Sequence, residues 1–392
     1  MRFVVFFSVV LGIWLLEHLY VGWRLSSLPL FVAPRARQGL LVGLAVAFVS
    51  YPLGRWLFHL GWQGTGRVLE YLGALWMGAL FFLLAAFLVV DVLTLFGLII
   101  RPWVPVLRSA AVVVAVGAAA TAWVGGLMPP RTVELEVEMP GLPAAADGLV
   151  VTHLSDLHLG TLIGDRRLRS VIERIDATQP DLVAITGDLV DADAGVVEAL
   201  LPRLRTLRAP LGVFAVLGNH EYYAGAERSR TLLTDAGFAV LDNAAIQVAP
   251  GLWVAGVPDG RGSAQTGERE DDLQEALAGV EDGEAIVFLQ HSPENEAVAA
   301  AAGVGLMLDG HTHGGQIWPF HYLVRRAFTH MAGVHRVGSM TQVVSRGAGQ
   351  WGPPMRLFAR SEILRITLRT PAVAAIGASG EPSRSAEERE SS

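Results

Sequence analysis

Four long apolar runs, separated by short polar stretches, open the chain. They lie at about residues 3–23, 40–60, 72–99 and 107–128. Each is long enough to cross a bilayer, whose hydrocarbon core of about 30 Å needs about 20 helical residues. A cleaved signal peptide would explain only the first run, which shows no clear small-residue cleavage site. The pattern therefore predicts a transmembrane region of four helices within residues 1–130.

After residue 130 the apolar pattern changes to short strands that alternate with helices. Thr132–Glu138 alternates apolar and acidic residues, as a half-exposed strand does. Buried strands are predicted near residues 149–154, 181–186, 212–217, 252–257, 285–290 and 304–308. Helices are predicted near residues 165–177, 194–207, 226–236, 270–279 and 294–301. This alternation predicts an α/β domain with right-handed crossovers and a largely parallel, covered sheet.

The pattern changes twice more towards the end of the chain. Beyond His313 it is typical of β structure, with apolar runs at residues 341–345 and 362–368. From Thr370 onward Ala, Gly, Ser, Glu and Pro dominate, and no apolar periodicity remains. We therefore expect the α/β domain to cover residues 131–369, followed by a disordered tail over residues 370–392.

Amino-acid composition also differs between the first 130 residues and the rest of the chain. Hydrophobic residues make up 52% of the 392 residues, and their excess lies in the first 130. Those 130 residues hold eight Arg and three acidic residues, whereas the remainder holds 22 Arg and 34 acidic residues. An acidic α/β part without a basic stripe argues against nucleic acid as a partner. The absence of Cys excludes thiolate metal sites and leaves His, Asp, Glu and Asn as ligands.

The Arg residues also indicate an orientation in the cell membrane. The loops after the first and third runs hold five Arg, against three on the other side of the bilayer. Positive-inside counting then puts the α/β domain on the outer face. Ionisable residues also lie within or near the runs, and we expect most to snorkel to an interface: Glu17, His18, Arg55, His59 and Asp91.

Polar side chains follow the strands of the α/β domain where each strand ends. The first such motif is Asp156-Leu157-His158, and four later strand ends carry Gly187-Asp188, Gly218-Asn219-His220-Glu221, Gln290-His291 and Gly310-His311-Thr312-His313. Ligands gather at the carboxyl ends of strands in α/β folds. The potential donors number seven: Asp156, His158, Asp188, Asn219, His291, His311 and His313.

Seven donors exceed the needs of one tetrahedral ion. They suit two ions about 3.5–4 Å apart that share a carboxylate, as in two-metal phosphatases. Asp188 is the natural bridge, because its strand is central to the cluster. Two adjacent cations lower the pKa of a bridging water, so hydroxide becomes available to attack a phosphorus centre.

This motif set resembles the calcineurin-like metallophosphoesterases, over about residues 148–368. The His291-Ser292-Pro293 and His311-Thr312-His313-Gly314-Gly315-Gln316 forms are similar to a branch of membrane-associated bacterial phosphodiesterases and their transmembrane relatives. Some members of that branch resemble enzymes that cleave the pyrophosphate of UDP-diacylglucosamine. The resemblance implies a four-layer α/β/β/α sandwich, which modifies the largely parallel sheet expected above.

The resemblance also implies roles for single residues. One metal takes Asp156, His158, Asp188 and His313, and the other takes Asp188, Asn219, His291 and His311. His220 is the matching non-ligand histidine, which stabilises the phosphoryl group or protonates the leaving oxygen. The mixed ligands suit Mn²⁺, which we expect in function, and also Zn²⁺ or Fe.

We therefore expect a membrane-bound, dinuclear-metal phosphoesterase that cleaves a phosphodiester or pyrophosphate bond. One alternative is a phosphomonoesterase or nucleotidase on the same site, and another is a non-catalytic membrane scaffold. The intact ligand set and His220 argue against the scaffold. The oligomeric state is left open.

Four nearby polar residues allow two interpretations each. Asp191 and Asp193 are expected to be solvated loop acids or helix caps. Glu221 either touches substrate or has a capping or packing role. Arg346 either reaches the substrate phosphate or forms a structural salt bridge.

The segment directly after His313 mixes aromatic and basic residues. Its aromatic and aliphatic residues are interleaved with Arg325, Arg326 and Arg336. This mixture is what an interfacial segment needs to enter the headgroup layer. We expect either an entrance for a lipid-linked phosphoester, with Arg325 and Arg326 contacting it, or a core-packing crossover.

Overall fold

The computed structural model describes residues 2–191, 194–267 and 271–371, with side chains from residue 8 onward. Four long helices come first: α1 Arg2–Ser26, α2 Pro34–His59, α3 Gln63–Leu93 and α4 Val104–Leu127. The predicted tail lies outside the described residues from residue 372 onward, as does Asp193.

Among the described residues, three helices are long and apolar enough to cross a membrane: Pro34–His59, Gln63–Leu93 and Arg101–Leu127. Four spans were predicted, so the count differs by one. The remaining helix, α1, is of similar length, and the side chains of its first residues lie outside the described part of the chain. At 31 residues, α3 is about 46 Å long, which exceeds the hydrocarbon core.

The rest of the chain forms twelve described strands and nine short helices. The strands are β1 Arg131–Glu138, β2 Val150–Leu154, β3 Leu182–Thr186, β4 Val213–Val216, β5 Ala239–Val240, β6 Ala244–Ala249, β7 Leu252–Gly256, β8 Ala285–Leu289, β9 Leu306–Asp309, β10 Gly333–Val337, β11 Met340–Val344 and β12 Glu362–Arg369. The helices are α5 Asp165–Ala177, α6 Ala194–Glu198, α7 Leu201–Leu204, α8 Asn219–Ala224, α9 Ala226–Asp235, α10 Gly260–Thr266, α11 Leu273–Leu277, α12 Glu296–Ala301 and α13 His321–Ala327.

The strands form two six-stranded sheets. Their orders are β1-β12-β2-β3-β4-β5 and β10-β11-β9-β8-β7-β6. Neighbours are parallel except at β12–β2, β6–β7 and β10–β11. The pairing is therefore largely parallel, as predicted, but the strands form two sheets instead of one, and the four-layer sandwich implied by the resemblance is confirmed.

Burial explains both the layers and the apolar strand runs. One core lies between the sheets and includes Val151 of the first sheet and Val287 of the second. A second core packs α5 and α9 on the outer face of the first sheet. A third packs α11 and α12 on the outer face of the second sheet. Strands buried on both faces need continuous apolar sequences, which is why the sequence revealed them.

The sandwich packs against the N-terminal helices. Met355 is 3% exposed and lies in the same apolar cluster as residues of α1, α3 and α4. The ring of Phe320 lies 6.2 Å from that of Phe81 in the middle of α3. The segments around residues 317–323 and 353–358 therefore reach the level of the membrane helices.

Asp91 does not snorkel, contrary to the expectation for the helix charges. It is fully buried, and its carboxylate lies 2.6 Å from Arg24 Nη2 and 3.2 Å from Arg108 Nη2. The Tyr20 hydroxyl donates to the same carboxylate at 2.6 Å. This cluster joins α1, α3 and α4 because a buried charge needs partners.

Candidate metal centre

The predicted donors lie just past the ends of parallel strands. Asp156, Asp188, His291 and His311 each stand two residues beyond their strands, β2, β3, β8 and β9. Asn219 begins α8, three residues beyond the end of β4. The carboxyl ends of strands from both sheets thus deliver all of these side chains to one edge of the sandwich.

The backbone at these positions is strained. Asp156, His158, Asp188, His311 and His313 all have φ between 51° and 66°. Such left-handed conformations cost a non-glycine residue on the order of 1–3 kcal/mol each, and they cluster at functional sites. The two flanking sheets hold these turns in place, so that the side chains converge.

The first cluster of donors comprises Asp156, His158 and His313. The Nε2 atoms of His158 and His313 lie 3.0 Å apart, and His313 Nε2 lies 3.5 Å from Asp156 Oδ1. The backbone N–H of His311 donates to the same Asp156 oxygen at 3.0 Å. The carboxylate is therefore fixed with one oxygen towards both rings.

The second cluster comprises Asp188, His291 and His311, with Asn219 beside it. His291 Nε2 lies 3.2 Å from Asp188 Oδ2, 3.1 Å from His311 Nδ1 and 3.2 Å from Asn219 Oδ1. His291 Nδ1 faces the Thr186 carbonyl at 2.7 Å, which requires a proton on Nδ1 and leaves the Nε2 lone pair towards the cluster.

Asp188 lies between the two clusters. Its Oδ2 is 3.2 Å from His291 Nε2 in one cluster and 3.7 Å from His158 Nε2 in the other. Its Oδ1 accepts the backbone N–H of His220 at 2.9 Å. One oxygen is thereby held by the backbone and the other faces both clusters.

The donor chemistry fits two divalent cations. In each cluster, two imidazole nitrogens lie about 3 Å apart beside a buried carboxylate. Two nitrogen lone pairs at this distance repel each other unless a proton or a cation lies between them. Carboxylate, amide and imidazole donors together suit Mn²⁺, Zn²⁺ or Fe.

The charge states of Asp188, His311 and His313 match those that bind metals. Burial alone would raise the pKa of Asp188, but His291 and His220 outweigh it and hold that pKa well below its usual range. Burial lowers the pKa of His311 to about 4 and that of His313 well below its usual range. The carboxylate is thus ionised and both rings are neutral at pH 7, the forms that bind metals. Burial alone would lower the pKa of His291, but Asp188 outweighs it and holds that pKa well above its usual range, so His291 loses a proton when it binds a metal.

Glu221 has a structural role. It is fully buried, and it accepts the backbone N–H groups of Asp188, Val190 and Gly218 at 2.8–2.9 Å. These three hydrogen bonds support the capping interpretation of Glu221.

The neighbouring Gly218 is constrained as well. A Cβ there would lie 2.3 Å from Asp188 Oδ1, so a larger residue would displace the central carboxylate.

Asp191 was misread from the sequence as a solvated acid or helix cap. Its Oδ1 lies 3.0 Å from His220 Nδ1 and 3.8 Å from His158 Nδ1. Burial alone would lower the pKa of His220, but Asp188 and Asp191 outweigh it and raise that pKa to about 9. In the sequence, the only signal for this role was the position of Asp191 three residues after Asp188. In the structure, the Asp191 N–H donates to the Leu159 carbonyl and so fixes the loop.

A cavity of about 560 Å³ opens at Gly314 and Gly315, directly after His313. Its wall includes Trp318, His321, Arg325, His335, Arg346 and Phe358. Arg346 also forms a salt bridge with Glu362, with Nη1 and Oε1 3.1 Å apart. The predicted salt bridge is therefore present, and the same side chain lines the cavity. Arg326, on the same helix as Arg325, does not line the cavity.

The cavity mouth is aromatic and exposed. Trp318 is 43% exposed and Phe358 is 86% exposed, with their rings 6.4 Å apart. Tyr322 and Leu323 of α13 are exposed as well. Within this segment Phe328 is buried, 5.4 Å from the His311 ring. The segment is therefore mostly surface, which favours the interfacial interpretation over a core-packing crossover.

The proteins compared with this chain below are all metallophosphoesterases or contain a metallophosphoesterase domain. The profile of the calcineurin-like phosphoesterase family matches residues 149–315. An uncharacterized metallophosphoesterase of Aquifex aeolicus is 34% identical over 61% of this chain and 92% of its own length. One from Helicobacter pylori is 33% identical, covering 62% of this chain and 65% of the relative. A zebrafish (Danio rerio) transmembrane protein with a metallophosphoesterase domain is 32% identical, covering 63% and 59%. The chain thus spans less than two thirds of the last two relatives.

Proposed function

The chain belongs to the calcineurin-like metallophosphoesterase family, and we propose that it is a membrane-bound phosphoesterase that cleaves a phosphodiester or pyrophosphate bond. The observation that supports this most is the convergence of the seven donors, with Asp188 between the two clusters and His220 beside it. Residues 1–130 form the membrane part in this proposal, and residues 131–369 form the catalytic domain.

Each predicted ligand has a role in this proposal. Asp156, His158 and His313 hold one divalent ion, Asn219, His291 and His311 hold the other, and Asp188 is shared. When bound, two such ions acidify water and offset the charge of a phosphoryl group. His220 donates a proton towards the leaving oxygen, and Asp191 orients its ring from the opposite nitrogen. Mn²⁺ is the expected ion, with Zn²⁺ and Fe compatible.

A substrate comparison tests this activity against its alternatives. We expect the full chain in nanodiscs with Mn²⁺ to hydrolyse bis-p-nitrophenyl phosphate faster than p-nitrophenyl phosphate. A preference for the monoester would favour a phosphomonoesterase or nucleotidase. Absence of turnover on both substrates, with metal bound, would favour the non-catalytic scaffold.

We further propose that the substrate is lipid-linked. The exposed rings of Trp318 and Phe358 and the side chains of Arg325 and Arg346 all line the cavity beside His313, and Phe320 of the same segment lies against Phe81 of α3. Aromatic groups suit the headgroup layer, and Arg suits a phosphate. The helices then hold the cavity against the bilayer, besides anchoring the chain.

Arg325 and Arg326 provide a test variant and a matched control for the lipid-linked substrate. The two residues are adjacent and carry the same charge, but only Arg325 lines the cavity. The probes share one leaving group: the p-nitrophenyl ester of a phosphatidic acid in anionic vesicles, and soluble bis-p-nitrophenyl phosphate. We expect Arg325→Glu to impair hydrolysis of the lipid about 10-fold or more while sparing the soluble diester, and Arg326→Glu to impair neither strongly. Equal effects of the two variants, or equal loss on both probes, would refute the lipid entrance.

We place the catalytic domain on the outer face of the cell membrane. The support is the Arg asymmetry between the loops. Reporter fusions after Arg131 test this, and we expect activity from a reporter that works only outside the cytoplasm. Activity solely from a cytoplasmic reporter would reverse the orientation.

A further inference from the structure

Two exposed aromatic rings lie beside His220, the proton donor of the proposed reaction. The ring centroid of Tyr223 lies 5.4 Å from that of His220, and the ring centroid of Trp351 lies 6.1 Å from it. Both rings stand at steep angles to the imidazole plane, 62° for Tyr223 and 77° for Trp351. Tyr223 is 38% exposed and Trp351 is 55% exposed. A large part of each side chain is therefore accessible to a molecule that approaches His220.

Few other aromatic rings of the catalytic domain are exposed. Within the described part of residues 131–371, the others lie at the cavity mouth or on the segment after His313: Trp318, Phe320, Tyr322 and Phe358. Tyr223 and Trp351 come from distant segments of the chain, yet both lie against the same imidazole. Aromatic surface left open beside polar groups is typical of ligand-binding sites. The pair therefore indicates a binding role at His220.

Tyr223 is held in place by the helix that also carries His220. The two residues are three positions apart in α8, so their side chains lie on the same face of the helix. The Tyr223 hydroxyl faces the side chains of Asn219, a predicted metal ligand, and of Gln265 in α10. The ring of Tyr223 therefore borders both the proton donor and the second cluster of donors.

Trp351 is held in place by its backbone. Its N–H donates to Oε1 of the buried Gln316 at 3.0 Å, and Nε2 of Gln316 donates to the Trp351 carbonyl at 2.9 Å. The loop before Trp351 is fixed at the metal centre as well, because the N–H of Gly349 donates to the Asp156 carbonyl at 2.8 Å. A fixed backbone therefore presents the exposed indole beside His220, so little ordering is left for a ligand to impose.

We propose that Tyr223 and Trp351 form the subsite for the leaving group, and that this subsite takes a ring attached directly to the leaving oxygen. The inference rests on the proposed function, in which His220 gives its proton to that oxygen. The atoms bonded to the oxygen then lie beside His220, where the two aromatic rings are. A flat aromatic or sugar ring can pack its face against an indole or a phenol, whereas a short flexible chain gains less contact. The subsite holds the group that leaves, whereas a lipid part stays on the phosphorus.

Three methyl phosphodiesters that differ only in the leaving group provide the test: the phenyl, the α-glucosyl and the trifluoroethyl ester. All three release methyl phosphate, which is measured for the full chain in nanodiscs with Mn²⁺. We expect Trp351→Ala to lower kcat/KM about 10-fold for the phenyl ester, the size of a lost aromatic contact together with its buried area. The trifluoroethyl ester, which has no ring, should lose less than about 2-fold. Trp351→Phe, which keeps a ring, should recover part of the loss.

Trp253 provides a matched control of the same residue type. It is a half-buried residue of β7 in the second sheet, and its Nε1 donates to Glu284 at 2.6 Å. Trp253→Ala should therefore leave the ratio of kcat/KM between the phenyl and trifluoroethyl esters unchanged. Tyr223→Leu is a second variant, which should reduce hydrolysis of the phenyl ester selectively, as Trp351→Ala does. Tyr223→Phe keeps the ring and should retain the preference for the phenyl ester.

The glucosyl ester determines which rings the subsite takes. A selective loss on the phenyl ester alone would limit the subsite to aromatic rings, and a selective loss on the glucosyl ester as well would include sugars. Equal losses on all three esters, or no selective loss in Trp351→Ala or in Tyr223→Leu, would overturn the inference. Equal losses are the result expected if Trp351 only anchors the domain to the bilayer. A wild-type chain with bound metal that hydrolyses none of the esters would instead contradict the proposed function.

Discussion

Replacement of Asp188 by Asn removes the carboxylate that lies between the two clusters. Asp156 and Asp188 are the only formal negative charges among the seven predicted donors. Two unit charges 4 Å apart interact by about 4 kcal/mol at an effective dielectric of 20, so two divalent ions there repel by roughly 16 kcal/mol. Asp188 Oδ2, 3.2 Å and 3.7 Å from rings of the two clusters, is placed to offset that repulsion. We therefore expect Asp188→Asn to lose one ion and to lower turnover by about 10³-fold or more.

The assay is metal content per chain together with diester turnover, both on the full chain in nanodiscs. Asp147→Asn makes the same chemical change at an exposed residue that bonds Thr370, and it should retain two ions and full activity. Two ions and near-normal turnover in Asp188→Asn would refute the shared-carboxylate assignment.

Three further substitutions separate the remaining roles. His220→Ala should keep both metals and lower turnover about 10²- to 10⁴-fold, with a smaller loss for good leaving groups; loss of a metal would show that His220 is a ligand. Asp191→Asn should keep both metals and lower kcat roughly 10²-fold, and it should add little to His220→Ala; additive losses would exclude a shared role. Asp91→Leu leaves the buried charges of Arg24 and Arg108 without their carboxylate, so it should lower the free energy of unfolding by about 3–5 kcal/mol. Asp147→Leu is its exposed control in thermal unfolding, and equal shifts would mean that the Asp91 cluster contributes little.

The sequence revealed the buried strands and the ordering of the donors because both follow from local rules. It did not reveal β5, β6 and β10, which are short or only half-buried. Strands buried on two faces must be continuously apolar, and residues just past their ends must meet at one edge. The positions of Asp156, Asp188 and His291 two residues beyond their strands follow from these rules alone.

What the sequence did not reveal depends on contacts between distant segments. Asp191 is one acid among several in its loop, and its role depends on His220, 29 positions away. The Asp91 cluster brings together residues from the ends of three helices. A pattern read over neighbouring residues of the sequence therefore cannot predict it. Likewise, separating the strands into two sheets requires pairing across the fold, such as β12 beside β2.

A titration of metal against activity tests the central claim most directly. Mn²⁺ is added to the metal-stripped full chain in nanodiscs, and bis-p-nitrophenyl phosphate turnover is measured against bound Mn²⁺ per chain. The account predicts that turnover stays near the metal-free background up to about one bound ion and rises as the second binds. Two bound ions without turnover above that background would contradict it.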